Sequence, residues 1–220
     1  MGNEILNRQA GHWENTFSNR SEMYGTKPSI AALKAVETFK KSGIKNIIEL
    51  GAGQGRDTIF FAKEGFKVFA LDYTLSGINS IKSKAESLGL AHLIKTKQSD
   101  VRKKLPFEDE NFDGCFSHML YCMAITTDEL KNLSEEILRI LKPGAINIYT
   151  ARNTEDGDYK KGICRGEDLY EVGGFIVHFF SKKKIEKLSN GFKIHSIDKF
   201  EEGKFPRKLF SVTLEKKIYK

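Results

Sequence analysis

The chain contains no uninterrupted run of about 18 apolar residues, which argues against a membrane-spanning helix. Its first stretch, MGNEILNRQAGHWENTF, lacks the apolar centre of a secretion signal, so a cytoplasmic location is expected. Cysteine is scarce: Cys115, Cys122 and Cys164 are odd in number and form no Cys-x-x-Cys pair. That usage argues against a disulfide framework or a structural zinc site, and no metal is expected. Buried thiols are one reading of the three; a thiol cluster for a soft metalloid is the other. Internal repeats and low-complexity tracts are missing as well. Basic residues exceed acidic ones, 36 to 29, for a net charge of +7. The excess falls in short clusters such as Lys103-Lys104 and Lys182-Lys183-Lys184, with no basic motif interleaved with aromatics. Solvated lysine faces explain that pattern as well as a nucleic-acid surface does.

What is present reads as one globular domain. Hydrophobic residues make up 40% of the 220, aromatics 11%, and phenylalanine alone occurs 16 times. Helical and strand-like segments alternate over the first two thirds. Residues 29–43 have helical spacing, with Pro28 before them and Gly43 at the end; 56–65, 75–89 and 126–144 follow the same period. Thr74 or Ser76 is placed to cap the third of these helices. Between them stand the β-type runs 45–50, 66–72, 92–100, 112–119 and 145–152. Such alternation implies a parallel sheet with helices on both faces, whose ligands bind at the carboxyl ends of the strands. Residues 153–178 are a glycine-rich, charged excursion, and long excursions in compact domains tend to be functional. A helix over 181–191 and a strand pair, 192–200 and 208–217, close the chain.

The stretch IIELGAGQGRDTIFFAKEGFKVFALDYT, residues 47–74, carries the chemistry. Glycines after a strand let the backbone turn sharply and approach a ligand, and the next helix presents free N–H groups. Two nucleotide loops are excluded. A triphosphate loop needs Gly-Lys-Ser/Thr, where this chain has Gly55-Arg56-Asp57. The dinucleotide fingerprint wants a glycine where Arg56 stands.

ELGAGQGR, LDYT, SDV at 99–101, FDGCFSHMLYCM and LRILKPGAINIYTAR occur in the order found in class I S-adenosylmethionine (SAM)-dependent methyltransferases, and the chain resembles that family over most of its length. Ala145 replaces the second glycine of the family's KPGG segment. The ends of the chain are similar to the tellurite-resistance and thiopurine-type small-molecule methyltransferases. The resemblance implies a Rossmann-like three-layer α/β sandwich: a mostly parallel seven-stranded sheet with an antiparallel closing pair and helices on both faces. It divides one domain into N-terminal helices and lid (1–43), SAM-binding core (44–152), substrate excursion (153–180) and closing helix and strands (181–220).

It also implies a cofactor site. Gly51, Ala52, Gly53 and Gly55 form the loop, Glu49 faces that loop or the SAM amino group, and Asp72 accepts from the ribose hydroxyls with Tyr73 beside it. Asp100 and Val101 flank adenine, and Ser117 ends the strand below the sulfonium. His118, Tyr121 and His178 are the candidate catalytic residues. His118 is either a general base or a pocket-wall histidine, and His178 either a substrate contact or a strand residue. Trp13, Phe17 and Tyr24 are either core or a lid over the sulfonium. Arg152 and Arg165 either clamp an anionic substrate or are surface charges. The expected reaction is methyl transfer from SAM to a small-molecule acceptor, giving S-adenosylhomocysteine. RNA or protein methylation and a non-catalytic SAM-binding regulator are the alternatives. The chain lacks the Asn-Pro-Pro-Tyr motif of base-amine methylation, SHML standing in its place, so nucleic acid is not the expected partner. Monomer and homodimer both stay open.

Overall fold

A computed structural model describes residues 3–203 and 206–218. The outermost residues of the four-part division, 1–2 and 219–220, fall outside it. The chain runs α1 (Asn3–Asn19), α2 (Ile30–Lys41), β1 (Asn46–Leu50), α3 (Arg56–Lys63), β2 (Lys67–Asp72), α4 (Leu75–Ser87), β3 (Ile94–Gln98), β4 (Phe112–Ser117), α5 (Thr127–Ile140) and β5 (Leu141–Arg152). Then come β6 (Ile163–Gly166), β7 (Leu169–Val172), β8 (Phe175–His178), α6 (Lys182–Leu188), β9 (Phe192–Glu202) and β10 (Arg207–Lys216).

Seven strands form one sheet in the order β3-β2-β1-β4-β5-β10-β9. The first five are parallel, and β10 lies antiparallel between β5 and β9. Alternating side chains feed two cores. Ile47, Val68 and Ala70 face α2, α3 and α4, while Ile48, Phe69 and Leu71 face α5 and α6. This is the expected Rossmann-like sandwich with its antiparallel closing pair. No helix among the described residues is long and apolar enough to cross a membrane.

Helix starts follow local chemistry. In α5, Thr126 accepts from the Glu129 N–H while the Glu129 carboxylate accepts from the Thr126 N–H. In α2, Ser29 accepts from Ala32 N–H and is itself held by both oxygens of Asp57. At α4, Thr74 stands at the cap position but its side chain does not cap. The Glu14 carboxylate of α1 accepts from the Leu75 and Ser76 N–H groups instead, at 2.7 and 3.0 Å. A helix that is distant in sequence thus supplies the cap.

The excursion folds into a second, antiparallel sheet, β6-β7-β8. Its apolar side buries Leu169 and Ile176 with Leu6 of α1. Gln9 of α1 donates to the Gly174 carbonyl and accepts from the Ile176 N–H. Phe175 packs on His12 and Trp13, with ring centroids 4.3 and 5.0 Å apart. The excursion therefore buttresses α1.

Candidate functional site

Order reverses in the sheet between β1 and β4, where α/β folds leave a crevice at the carboxyl ends of the strands. A cavity of about 390 Å3 lies there. A smaller one of about 50 Å3 adjoins it, sharing Trp13, Gly51, Asp72 and Tyr73. The floor of the larger cavity is the loop between β1 and α3. Gly51 has φ +72°, and a Cβ there would sit 3.0 Å from Leu120. Gly53 has φ +53° and faces the Phe17 ring. Both positions require a left-handed backbone beside a surface left open for a ligand.

Two carboxylates end at this loop. Asp72 accepts from the Gly53 N–H at 2.7 Å and from the Thr74 N–H and hydroxyl at 2.8 and 2.6 Å. Burial pushes its carboxyl up, opposed by these same donors. Glu49 is buried, takes the Thr58 hydroxyl proton as a hydrogen bond, and has its carboxyl raised well above the usual range, first by burial and then by Asp57. A buried carboxylate of this kind gains from a cationic partner. Asp100 and Val101 line the smaller cavity with Tyr73. Asp100 is already engaged by the Arg102 guanidinium, with Nη2 at 2.7 Å. Burial pushes its carboxyl up, but the Arg102 hydrogen bonds prevail and hold it below its ordinary value.

α1 forms the roof. Trp13 and Phe17 border the cavity, their centroids 5.4 Å apart, and Tyr24 joins them from the loop after α1. These three aromatics thus belong to a lid. Gln54, inside the glycine loop, pins it. Its amide donates to the Phe17 and Arg20 carbonyls and accepts from the Met23 N–H.

Several expected site residues stand elsewhere. Gly55 borders neither cavity; with φ +84°, its Cβ position falls 2.6 Å from Ile81, so it turns the loop and seats α3 on α4. Ser117 is fully buried, also away from both cavities. Tyr121 lies in the α5-side core, stacked flat on Tyr149 at 3.9 Å, where its ring cannot reach a substrate. His178 is 0% exposed, donates from Nδ1 to the Ile125 carbonyl, and accepts at Nε2 from Lys184 at 2.6 Å. Burial drops its pKa to about 4, and it acts as a latch between β8 and α6. Arg152 is held by Asp156 and Asp158, and Arg165 by Glu171, so neither is available as an anion clamp. None of residues 153–180 borders either cavity. The thiols do not gather: Cys115 and Cys122 sit in different apolar clusters and Cys164 is exposed. Among the described residues no group of side chains is arranged to hold a metal.

His118 does border the cavity, beside Met119, which takes a left-handed φ of +61°. The Thr150 hydroxyl accepts the Met119 N–H and lies 3.0 Å from His118 Nδ1. Thr150 is fully buried, so its own proton needs an acceptor, and Nδ1 is the one in reach. The ring proton is thereby placed on Nε2, which lies 3.4 Å from Glu202 Oε2. Burial drops the His118 pKa to about 4, so the ring is neutral. With Nδ1 engaged and Nε2 protonated, His118 has no free lone pair with which to act as a base. Glu202 and Gln54 were the two residues without a sequence signal. Gln54 occupies a variable place in the glycine pattern, and Glu202 enters from β9, far from the loop in the chain.

Residues 47–144 match the family model described as a methyltransferase domain. Phosphoethanolamine N-methyltransferase 1 of Triticum aestivum is 35% identical over 123 residues, 54% of this chain and 24% of that protein. The tRNA N(3)-cytidine methyltransferase METTL2 of Bos taurus is 25% identical over 67% of this chain and 41% of its own. The chain thus spans under half the length of these relatives. The Burkholderia thailandensis 1,6-didemethyltoxoflavin-N1-methyltransferase, solved with its substrate and S-adenosylhomocysteine, superposes with a TM-score of 0.69 at 17% identity, covering 97% of this chain and 91% of that one.

Proposed function

We propose that the chain, whose residues 47–144 match a methyltransferase domain, transfers the methyl group of SAM to a small-molecule acceptor. The observation that carries this reading is the roofed cavity at the β1–β4 switch point, floored by the glycine loop and walled by Asp72 and Glu49. The residues present fit the cofactor. Gly51–Gly53 leave room for the methionine end, and the buried Glu49 suits its ammonium group. Asp72 suits a ribose hydroxyl, having about one acceptor site beyond the three used by Gly53 and Thr74. Asp100, Val101 and Tyr73 border the smaller cavity, which suits the adenine end.

When bound, SAM supplies a methyl group on a sulfonium, an excellent leaving group. The chain's share is then positioning and exclusion of water, which the Trp13–Phe17 roof provides. A small acceptor is favoured over RNA because carboxylates outnumber cations around the larger cavity and α1 covers it. Among the lysines and arginines of the described residues, only Arg56, Lys84 and Arg207 border it.

The test is a calorimetric titration of SAM into wild type and Asp72→Ala. Loss of one charge-assisted hydrogen bond, about 1.5–3 kcal/mol, should weaken binding by about one to two orders of magnitude. Equal affinity would refute the assignment of the ribose wall. The similarity to a tRNA methyltransferase favours RNA as a second reading; binding of bulk RNA that falls steeply with salt would support it, and none at low salt would remove it.

A further inference from the structure

Resting on that methyltransferase reading, we propose that Glu202 is the acceptor-binding carboxylate of the site, and that the acceptor is a small amine presenting an N–H to it. Glu202 ends β9 and borders the larger cavity beside His118, Tyr24 and Arg207. Its Oε2 is shut off from solvent and accepts no hydrogen bond among the described residues. With Oε2 closed off on the His118 side, the exposure left to the Glu202 side chain, 19%, falls on Oε1, and a half-buried carboxylate oxygen open at a cavity wall marks where a ligand donates.

The neighbours leave that place open. His118 Nε2 lies 3.4 Å from Oε2, too long for a good hydrogen bond. Arg56 approaches the other oxygen, Oε1, only to 3.9 Å, because Arg56 is already engaged by Asp57. The Ile30 N–H at the start of α2 and the Arg207 guanidinium also face the carboxyl and hold it down, while burial, the largest influence, and Asp57 raise it. Glu202 is therefore a more basic carboxylate than an exposed one. His118, held by Thr150, stands against Oε2 without bonding it, so Oε1 is the oxygen left to the acceptor.

The class of acceptor follows from what a carboxylate can accept. A thiolate would be repelled by it, and an alcohol is too weak an acid to give it a proton. A neutral amine needs no deprotonation before it attacks. Its lone pair forms the new N–C bond as the C–S bond breaks and returns its electron pair to sulfur. The nitrogen then keeps its proton as an ammonium, which pairs with the carboxylate and loses that proton to solvent on release. Glu202 thus orients the N–H before the transfer and offsets the positive charge that forms on nitrogen.

The experiment assays the full chain with SAM against a panel of small primary and secondary amines and matched thiols. At least one amine should be methylated, and Glu202→Gln should lower kcat/KM for it by about 100-fold with SAM affinity unchanged. Titration of that amine into the S-adenosylhomocysteine-bound protein should show about tenfold weaker binding to Glu202→Gln. Glu202→Asp, which keeps the charge, should regain part of the loss. Methylation of thiols alone, no amine turnover by SAM-bound protein, an amine methylated equally by Glu202→Gln, or no recovery in Glu202→Asp would each overturn the proposal. Failure of the wild type to bind SAM at all would instead refute the cofactor reading beneath it.

Discussion

Gln54→Ala should free one end of the roof while leaving the other closed. The Gln54 amide makes three hydrogen bonds to the end of α1 and the turn after it: to the Phe17 carbonyl at 3.2 Å, the Arg20 carbonyl at 2.8 Å, and from the Met23 N–H at 2.9 Å. At about 0.5–1.5 kcal/mol each, they hold this end down by about 1.5–4.5 kcal/mol. The middle of α1 has separate anchors, Glu14 on the start of α4 and Gln9 on β8, which the substitution does not touch. Native-state amide exchange, read residue by residue, checks this. Protection around Met23 should fall by about 10- to 1000-fold, while amides in the α1 segment held by Gln9 and Glu14 should change little. SAM affinity should weaken in step, since opening Phe17 and Tyr24 exposes the cavity they border. Uniform loss of protection along α1 would show that the lid moves as one body. Unchanged protection at Met23 would show that Gln54 does not pin it.

Two further outcomes follow from backbone strain and from burial. Gly55→Ala forces a Cβ onto a residue at φ +84° and to within 2.6 Å of Ile81; with about 1–2 kcal/mol for the left-handed backbone and 1–3 for the crowding, the thermal midpoint should fall by roughly 5–15 °C, and an unchanged midpoint would refute the packing role. His118 and His178 both titrate near 4 in the folded chain against about 6.5 unfolded, so folding favours the neutral rings: their contribution is complete above about pH 6.5 and is lost as pH falls toward 4. Denaturant melts across that window should show stability dropping with acid, and His178→Gln should flatten the drop; an equal slope in the variant would show that His178 is not buried as a neutral ring.

Much of the fold was legible because its signals are local. The alternation of strand and helix runs, the Thr126 cap and the loop GAGQG each declare themselves within a few residues. The floor and walls of the cavity were legible for the same reason: Glu49, Gly51 and Asp72 sit at the ends of the strands that the pattern predicts. What was not legible depends on pairs far apart in the chain. A glutamate in α1 capping α4, a glutamine in the glycine loop holding α1, and a glutamate at the end of β9 facing a histidine after β4 leave no spacing to read. Tyr121 and His178 show the converse. Their positions beside the fourth strand and at the end of the excursion suggested chemistry, but stacking on Tyr149 and a lysine at Nε2 consume their polar and aromatic faces inside the core.

The excursion changes how acceptor choice is assigned. Length and glycine content pointed to residues 153–180 as the substrate-reading segment, yet its sheet spends its apolar face on Leu6 and its Phe175 ring on His12 and Trp13. Its effect on the cavity is exerted through α1, whose Trp13 it supports from behind. Lining for the part of the larger cavity around His118 comes instead from the turn after α1 and from the β9 end, through Tyr24, Glu202 and Arg207. Those segments lie on opposite sides of the core elements in the chain, so a change in either leaves the glycine loop and Asp72 in place. On the proposed reading the core holds the methyl donor, the excursion supports the roof through α1, and the turn after α1 with the end of β9 reads the acceptor.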